Sequence, residues 1–329
     1  MPRRLRVATR GSRLARTQTD FVIASLGVDA EPVVVETSGD RRTDVDIWEI
    51  GGRGVFVKEV QAAVLDGRAD LAVHSAKDLP SIEPDGLVIG AVPEREDPRD
   101  ALVGGTLEGL PPGARVATGS VRRRAQLAWL RPDLTFRGLR GNIETRLAKA
   151  SAFDAVVVAA AALVRLGRLD AADDLLDPTV LVPQVAQGAL AVECRADDEE
   201  VRERLAALDH PASRRAVVAE RAFLAELGGG CDLPVGAYAT VDEAAGSIRL
   251  TGLLATTDGR ILLRHTAEGD DPEELGRGVA THLLERSGGS ELLGELTGRG
   301  LADPAGVTNA AAAAPVNTVA AAPVNAAAP

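Results

Sequence analysis

Short aliphatic runs alternate with stretches whose apolar residues recur at helical spacing, and this alternation most narrows what the chain can fold into. Leu5-Arg6-Val7-Ala8-Thr9 reads as a strand, and residues 12–26 then carry a helical pattern with Ser12 as its N-cap. Pro32-Val33-Val34-Val35 is a second strand, residues 55–65 a helix, and residues 70–74 a third strand. That rhythm predicts βαβ units and a mostly parallel sheet.

A polar segment bounded by prolines, Pro93-Glu94-Arg95-Glu96-Asp97-Pro98, interrupts the series and reads as a hinge. A second αβ series starts at Ala101 and runs through the strand 115–118, a helix over 121–130 and the strand 154–158. Residues 188–194 form a strand that returns after it. Beyond a helix over 212–227 and the break Gly228-Gly229-Gly230 come strands over 235–241, 248–255 and 261–266, then a helix over 272–286. The expected division is residues 1–93 plus 188–210, residues 99–187, and residues 211–302. After Asp303 the chain holds no charge and no large side chain, and APVN occurs twice. Such a segment buries too little to offset ordering entropy, so 303–329 is expected to be a disordered tail.

A length of 329 residues with 45% apolar and 26% charged side chains fits a globular protein of two or three domains. Aromatics are 2%, so aliphatic residues build the core and stacking along a nucleic-acid strand is excluded. A net charge of −11 argues against nucleic acid and anionic membranes as partners. Met1-Pro2-Arg3-Arg4 runs straight into a strand pattern without a signal-like apolar region. Two cysteines give neither a disulfide framework nor a metal clamp, and the four histidines are scattered. A cytoplasmic protein with reduced thiols and no metal is expected.

Within this acidic chain, residues 115–149 hold nine basic residues and two acidic ones, and eight of the nine are arginine. Arginine suits bidentate recognition of carboxylates. Ala117-Thr118-Gly119-Ser120 and Gly141-Asn142 each open a helix, where backbone N–H groups favour anions. The ligand class is therefore a small molecule with several carboxylates. His74-Ser75-Ala76-Lys77-Asp78 lies at the carboxyl end of a strand, where α/β folds place ligands; Asp78 is either a helix cap or a site residue. Cys231 follows three glycines and is either a small buried residue or a reactive thiol.

Taken together and in order, these motifs resemble the porphobilinogen deaminase (hydroxymethylbilane synthase) family. The matching stretches include VATRGS at 7–12, GGRGVFVKE at 51–59, DLAVHSAKDLP at 70–80 and EREDPRDA at 94–101. SVRR at 120–123, LRGN at 139–142, VPQVAQG at 182–188 and GGCDLP at 229–234 continue the set. The resemblance implies an α/β fold of two periplasmic-binding-protein-like domains with a hinge and a cleft between them, plus a small C-terminal α/β domain. It implies stepwise head-to-tail condensation of four porphobilinogen molecules to hydroxymethylbilane, with release of four ammonias, by a transferase of tetrapyrrole biosynthesis. The chemistry is primed by a dipyrromethane cofactor held through a thioether, here to Cys231. Asp78 matches the catalytic aspartate. Ser75, Lys77, Thr118, Ser120, Arg122, Arg123 and Arg140 match cofactor-contacting positions, and Arg10, Ser12, Arg146 and Arg165 match substrate-contacting ones. The expected form is a cytoplasmic monomer that hands its product to uroporphyrinogen-III synthase.

This implied chemistry agrees with the residues. Each porphobilinogen brings two carboxylates, which accounts for an arginine cluster in an acidic protein. A carboxylate such as Asp78 stabilises the positive charge that develops when ammonia leaves. The family's usual Gly-Thr-Ser-Ser reads Ala117-Thr118-Gly119-Ser120 here, with one hydroxyl gone. A non-catalytic binder of a carboxylate-rich solute would explain the arginines but not the Gly-Gly-Cys loop.

Overall fold

The computed structural model describes residues 3–38, 57–229 and 233–298. Cys231, most of the 51–59 motif and the expected tail lie outside the described residues.

The chain opens with β1 (Leu5–Arg10), α1 (Arg13–Leu26), β2 (Ala30–Val35), α2 (Lys58–Leu65), β3 (Leu71–Ser75) and β4 (Leu87–Ala91). It continues through β5 (Asp100–Val103), β6 (Arg115–Ala117), α3 (Val121–Leu130), β7 (Thr135–Arg137), α4 (Ile143–Ala148), β8 (Ala155–Ala159), α5 (Ala160–Arg165) and β9 (Asp174–Leu176). Then come β10 (Leu190–Arg195), α6 (Glu199–Ala206), α7 (Pro211–Glu226), β11 (Val235–Asp242), β12 (Ser247–Ala255), β13 (Leu262–Gly269), α8 (Pro272–Arg286) and α9 (Gly289–Gly298). Ser12 caps α1 by accepting from the Ala15 N–H at 3.3 Å, the role its side chain suits.

Two five-stranded sheets have the same winding. The first has the order β2-β1-β3-β10-β4 and the second β7-β6-β8-β5-β9. In each, one strand runs against the other four: β10 is antiparallel to β3 and β4, and β5 is antiparallel to β8 and β9. The reversed strand is in both cases the one that has just crossed from the other sheet. Helices cover both faces, so β3 and β8 read as continuous apolar runs, as strands buried on two sides do. The mostly parallel reading holds, with one reversed strand per sheet that the apolar runs did not reveal.

The third sheet is an antiparallel meander, β11-β12-β13, with α7 and α8 packed against it. Its core takes in Val92, Val185, Ala186 and Ala189 from the two segments that cross between the larger sheets. The α/β class expected from the sequence is therefore what the chain forms. Sequence reading did not delimit β4, β5, β7, β9, α6 or α9.

Candidate active site

The carboxyl ends of β1, β3, β6 and β8 deliver their loops to the gap between the two larger sheets. A cavity of about 30 Å³ lies there, lined by Gln18, Ser75, Lys77, Arg165 and Gly188 among others. That volume has room for little more than ordered water. Arg13 at the start of α1 and Glu144 in the first turn of α4 face each other at 3.8 Å, joining the two sides.

Asp78 ends a single 3₁₀ turn over Ala76–Asp78 that follows β3 directly. The Ala76 N–H donates to Ala189 O at 3.0 Å, so the turn is stitched to the segment leading into β10. Ser75 Oγ and the Gln18 side chain are hydrogen-bonded, with Gln18 Nε2 donating at 2.8 Å. The Lys77 ammonium donates to Gln187 Oε1 at 3.4 Å. Burial, with Arg123 and Arg122 nearby, pulls the Lys77 amine down to about 8 although Asp78 and Asp100 oppose the shift.

Arg122 and Arg123, on the first turn of α3, are both buried and converge on Asp100 at the start of β5. Arg122 donates to Asp100 Oδ2 at 2.7 Å and to Val182 O at 2.6 Å. Arg123 Nε donates to Asp100 Oδ1 at 2.9 Å and its Nη1 to Val157 O at 3.0 Å. Gln187 Nε2 adds a third donor to Asp100 at 2.8 Å. Burial alone would raise the Asp100 pKa, but the two guanidiniums outweigh it and hold the carboxyl at about 2. Gln187 thus links the Lys77 turn to the arginine pair, a role for which the sequence carries no local signal. Asp100 and Gln187 both lie inside motifs quoted above, EREDPRDA and VPQVAQG, yet neither was singled out.

Ser120 caps α3, accepting from the Arg123 N–H at 3.4 Å, and Thr118 Oγ1 accepts from the Ser120 N–H at 3.2 Å. These hydroxyls shape the turn at the helix start. Gly119 stands where it does for a steric reason: a Cβ there would lie 2.9 Å from Leu139 O, the residue before Arg140. The missing hydroxyl of the family pattern thus coincides with a close backbone approach.

The remaining sequence-derived positions divide clearly. Arg146 lies among Arg123, Arg140 and Asp78; burial is the main cause that lowers its pKa to about 10. Arg165 is lowered to about 10, again by burial, and donates to Gly188 O at 2.7 Å. Arg10 ends β1, while the Ser12 hydroxyl is occupied as the α1 cap. Asp78, Lys77, Arg122, Arg123, Arg140 and Arg146 are therefore brought into one electrostatic neighbourhood from two sheets.

The arrangement defines a protein of two like-wound α/β sheets with cations gathered at the strand ends that face each other. Residues 5–203 match the family description "Porphobilinogen deaminase, dipyromethane cofactor binding domain", and residues 214–285 match "Porphobilinogen deaminase, C-terminal domain". The chain belongs to the porphobilinogen deaminase family. The Geobacillus kaustophilus porphobilinogen deaminase is 48% identical over 295 residues, covering 86% of this chain and 95% of that protein. The Bacillus subtilis porphobilinogen deaminase is 43% identical over 304 residues, covering 89% and 96%. Among solved structures, lipoprotein Tp32 from Treponema pallidum aligns with a TM-score of 0.39 at 13% identity, covering 62% of this chain and 90% of that one. The transferase class, the place in tetrapyrrole biosynthesis and the dipyrromethane cofactor expected from the sequence stand with this membership.

The residues present fit such a cofactor. Lys77, Ser120 and Arg122 line a second narrow space together with Leu233, two positions beyond Cys231 in sequence. The Arg122 Nε in this wall is buried without a hydrogen-bond partner, a donor that suits a carboxylate. Among the described residues no group of His, Cys, Asp or Glu could hold a metal ion, and no helix is long and apolar enough to cross a membrane.

Proposed function

We propose that this chain carries out the stepwise condensation of porphobilinogen in the gap between the two larger sheets, with Asp78 as the catalytic carboxylate. Asp78 accepts from pyrrole N–H groups and stabilises the positive charge that forms as ammonia leaves. Lys77, Arg122, Arg123 and Arg140 hold the carboxylates of the cofactor with Ser75, Thr118 and Ser120; Arg10, Ser12, Arg146 and Arg165 hold those of the incoming and growing chain. When bound, the dipyrromethane supplies the pyrrole carbon to which the first substrate is joined. Cys231 anchors it through sulfur. The observation that carries this reading is the electrostatic coupling of Asp78 both to Lys77 on its own turn and to Arg146 from the opposite side of the gap.

The same reading divides the chain into residues 1–93 plus 188–210, residues 99–187 and residues 211–302, with 303–329 as a tail. The crossing segments at 92–99 and 177–189 act as the hinge that widens the gap for a pyrrole ring. The protein works as a cytoplasmic monomer and releases its product to uroporphyrinogen-III synthase. Intact-mass measurement is the test. The protein from cells that make porphobilinogen is expected to exceed its sequence mass by two porphobilinogen units less two ammonias. Cys231→Ser loses that increment and Cys194→Ser keeps it; an unmodified native mass rejects the reading.

A further inference from the structure

Of the third sheet's two hairpin turns, one rests on the helix that carries Arg122 and Arg123. Residues 256–261 join β12 to β13, with Asp258-Gly259 at the bend. The turn is closed from within. Thr256 Oγ1 donates to Asp258 Oδ1 at 2.6 Å, and the Arg260 N–H donates to the same oxygen at 3.0 Å. The Thr256 N–H donates to Ile261 O at 2.9 Å. Gly259 has φ 72°, and a Cβ on it would stand 2.5 Å from Ala125 O, 2.8 Å from Ala128 Cβ and 2.9 Å from the Trp129 nitrogen. The turn thus lies backbone against backbone on α3, which the small residues Gly259, Ala125 and Ala128 permit.

That contact belongs to a packed layer. Ala125 shares an apolar cluster with Val182, Leu253 and Ala255, all fully buried, and Tyr238 and Leu262 pack against it. Gln126 is bonded both ways to Val182, its Nε2 donating to Val182 O at 2.9 Å and its Oε1 accepting from the Val182 N–H at 2.8 Å. The third sheet abuts the same crossing segment: Arg264 of β13 donates to Thr179 O at 2.6 Å, and a Cβ on Gly236 of β11 would stand 2.8 Å from Pro183 O. α3 therefore meets both the crossing segment and the β12–β13 turn. Ala125 follows Arg122 by three residues, on one face of the helix and about 4.5 Å along its axis. In a close-packed interior, a displacement of α3 at Ala125 carries the arginine pair with it.

We infer that the β12–β13 turn is the stop against which α3 is seated, and that Gly259 is a positioning residue for Arg122 and Arg123. The unit that bears Cys231 then also sets the place of two cations that meet the cofactor. The consequence for turnover rests on Arg122 and Arg123 holding cofactor carboxylates; the seating of α3 does not.

Two glycines of matching backbone separate seating from turn strain. Gly246, in the β11–β12 turn, also has φ 72°, but a Cβ there meets nothing within 4 Å. Gly246→Ala and Gly259→Ala therefore carry the same left-handed strain, and only the second drives into α3. Both are measured as full-length, cofactor-loaded protein. Gly246→Ala is expected to keep kcat and amide exchange over residues 121–130 within about twofold of native. Gly259→Ala should exchange about tenfold faster over 121–130 and lose about tenfold or more in kcat per loaded molecule, with KM little changed. A misplacement of about 1 Å at a reacting site costs up to about a hundredfold. Native exchange and native kcat in Gly259→Ala overturn the inference, because the turn and not the helix then gives way. So does an equal loss of kcat in both variants, which assigns it to turn strain. If Gly259→Ala does not fold, Asp258→Ala replaces it: the acceptor that closes the turn is lost and no atom is added against α3. Fast exchange over 121–130 then supports the seating and native exchange rejects it. Arg122→Gln is the control for the site. If it loses turnover while Gly259→Ala shows fast exchange with native kcat, the positioning role is rejected. If Arg122→Gln keeps native turnover, the site reading fails and exchange over 121–130 alone decides the seating.

Discussion

Arg95 and Glu220 form a two-pronged buried ion pair, with Nη1 to Oε1 at 2.7 Å and Nη2 to Oε2 at 3.2 Å. It fastens the segment leaving the first sheet to α7 of the third unit. Glu220 also accepts from the backbone N–H groups of Ala186, at 2.6 Å, and Ala239, at 2.8 Å. Ala186 has φ 58°, and it is the one non-glycine residue with positive φ among the described residues. One carboxylate therefore holds both crossing segments and β11, including a strained position. Glu220→Ala leaves the Arg95 guanidinium buried without its counter-charge and is expected to cost about 3–5 kcal/mol. Urea titration measures it; a loss below about 1 kcal/mol would mean that the junction does not depend on this pair.

Asp78→Asn keeps the shape of the side chain and removes its charge. The variant should fold with a native melting temperature and retain the cofactor mass. Its turnover should fall about a hundredfold, or about 2.7 kcal/mol of transition-state stabilisation. Steady-state assay of loaded protein decides, and near-native turnover would leave Asp78 as a turn residue only.

Lys77 supplies a pH prediction. Its amine titrates at about 8 in the folded chain against 10.5 for a free lysine. Between those values the unfolded state binds more protons, so stability rises with pH through that window, and the full cost of charging buried Lys77 is present below it. Function runs the other way, because only the charged amine attracts carboxylates. kcat/KM is expected to fall as pH rises through about 8. Lys77→Arg should abolish that alkaline limb, since guanidinium stays charged across the range. A limb unchanged in Lys77→Arg assigns it to another group.

Gly119→Ser restores the hydroxyl usual in the family but puts a Cβ 2.9 Å from Leu139 O. Backbone must shift to admit it, and a loss of about 1–3 kcal/mol in stability is expected. Thermal melting reads this directly; a stabilised variant would show that the 117–120 and 139–142 turns separate at no cost.

Single arginine replacements should stop elongation at different lengths. Arg140→Leu, Arg146→Leu, Arg165→Leu and Arg10→Leu each remove one cationic donor from a different element. Mass spectrometry after brief exposure to porphobilinogen is expected to show intermediates with one, two or three added rings accumulating to different extents. An identical ladder in all four would mean that these arginines act only as a common field.

Long, capped, periodic elements were legible in the sequence: α3 over 121–130 and α8 over 272–286 match to the residue, and Ser12 caps α1 as read. The three-residue strands Thr135–Arg137 and Asp174–Leu176 were not, because three residues carry no period. The arginine pair was visible as charge, whereas its partner Asp100 sits 22 positions from Arg122 and Gln187 sits 87 from Asp100. Contacts across such separations exist only once two sheets have been assembled, so no local pattern records them. The reversed strands were hidden for a related reason. An apolar run buried on both faces reads the same in either direction, as the β10 sequence does.

The placement of β10 also dictates an order of events at the ribosome. β4 has a single strand neighbour, β10, which also separates it from β3. Everything needed for the second sheet lies between residues 100 and 176, so that sheet is complete in the nascent chain before the first one can be. Until residue 195 has emerged, the first sheet lacks its fourth strand and β4 has nowhere to pair. The half that carries Asp78 begins synthesis first and finishes folding second, closed by a strand that arrives only after the opposite wall of the gap is built.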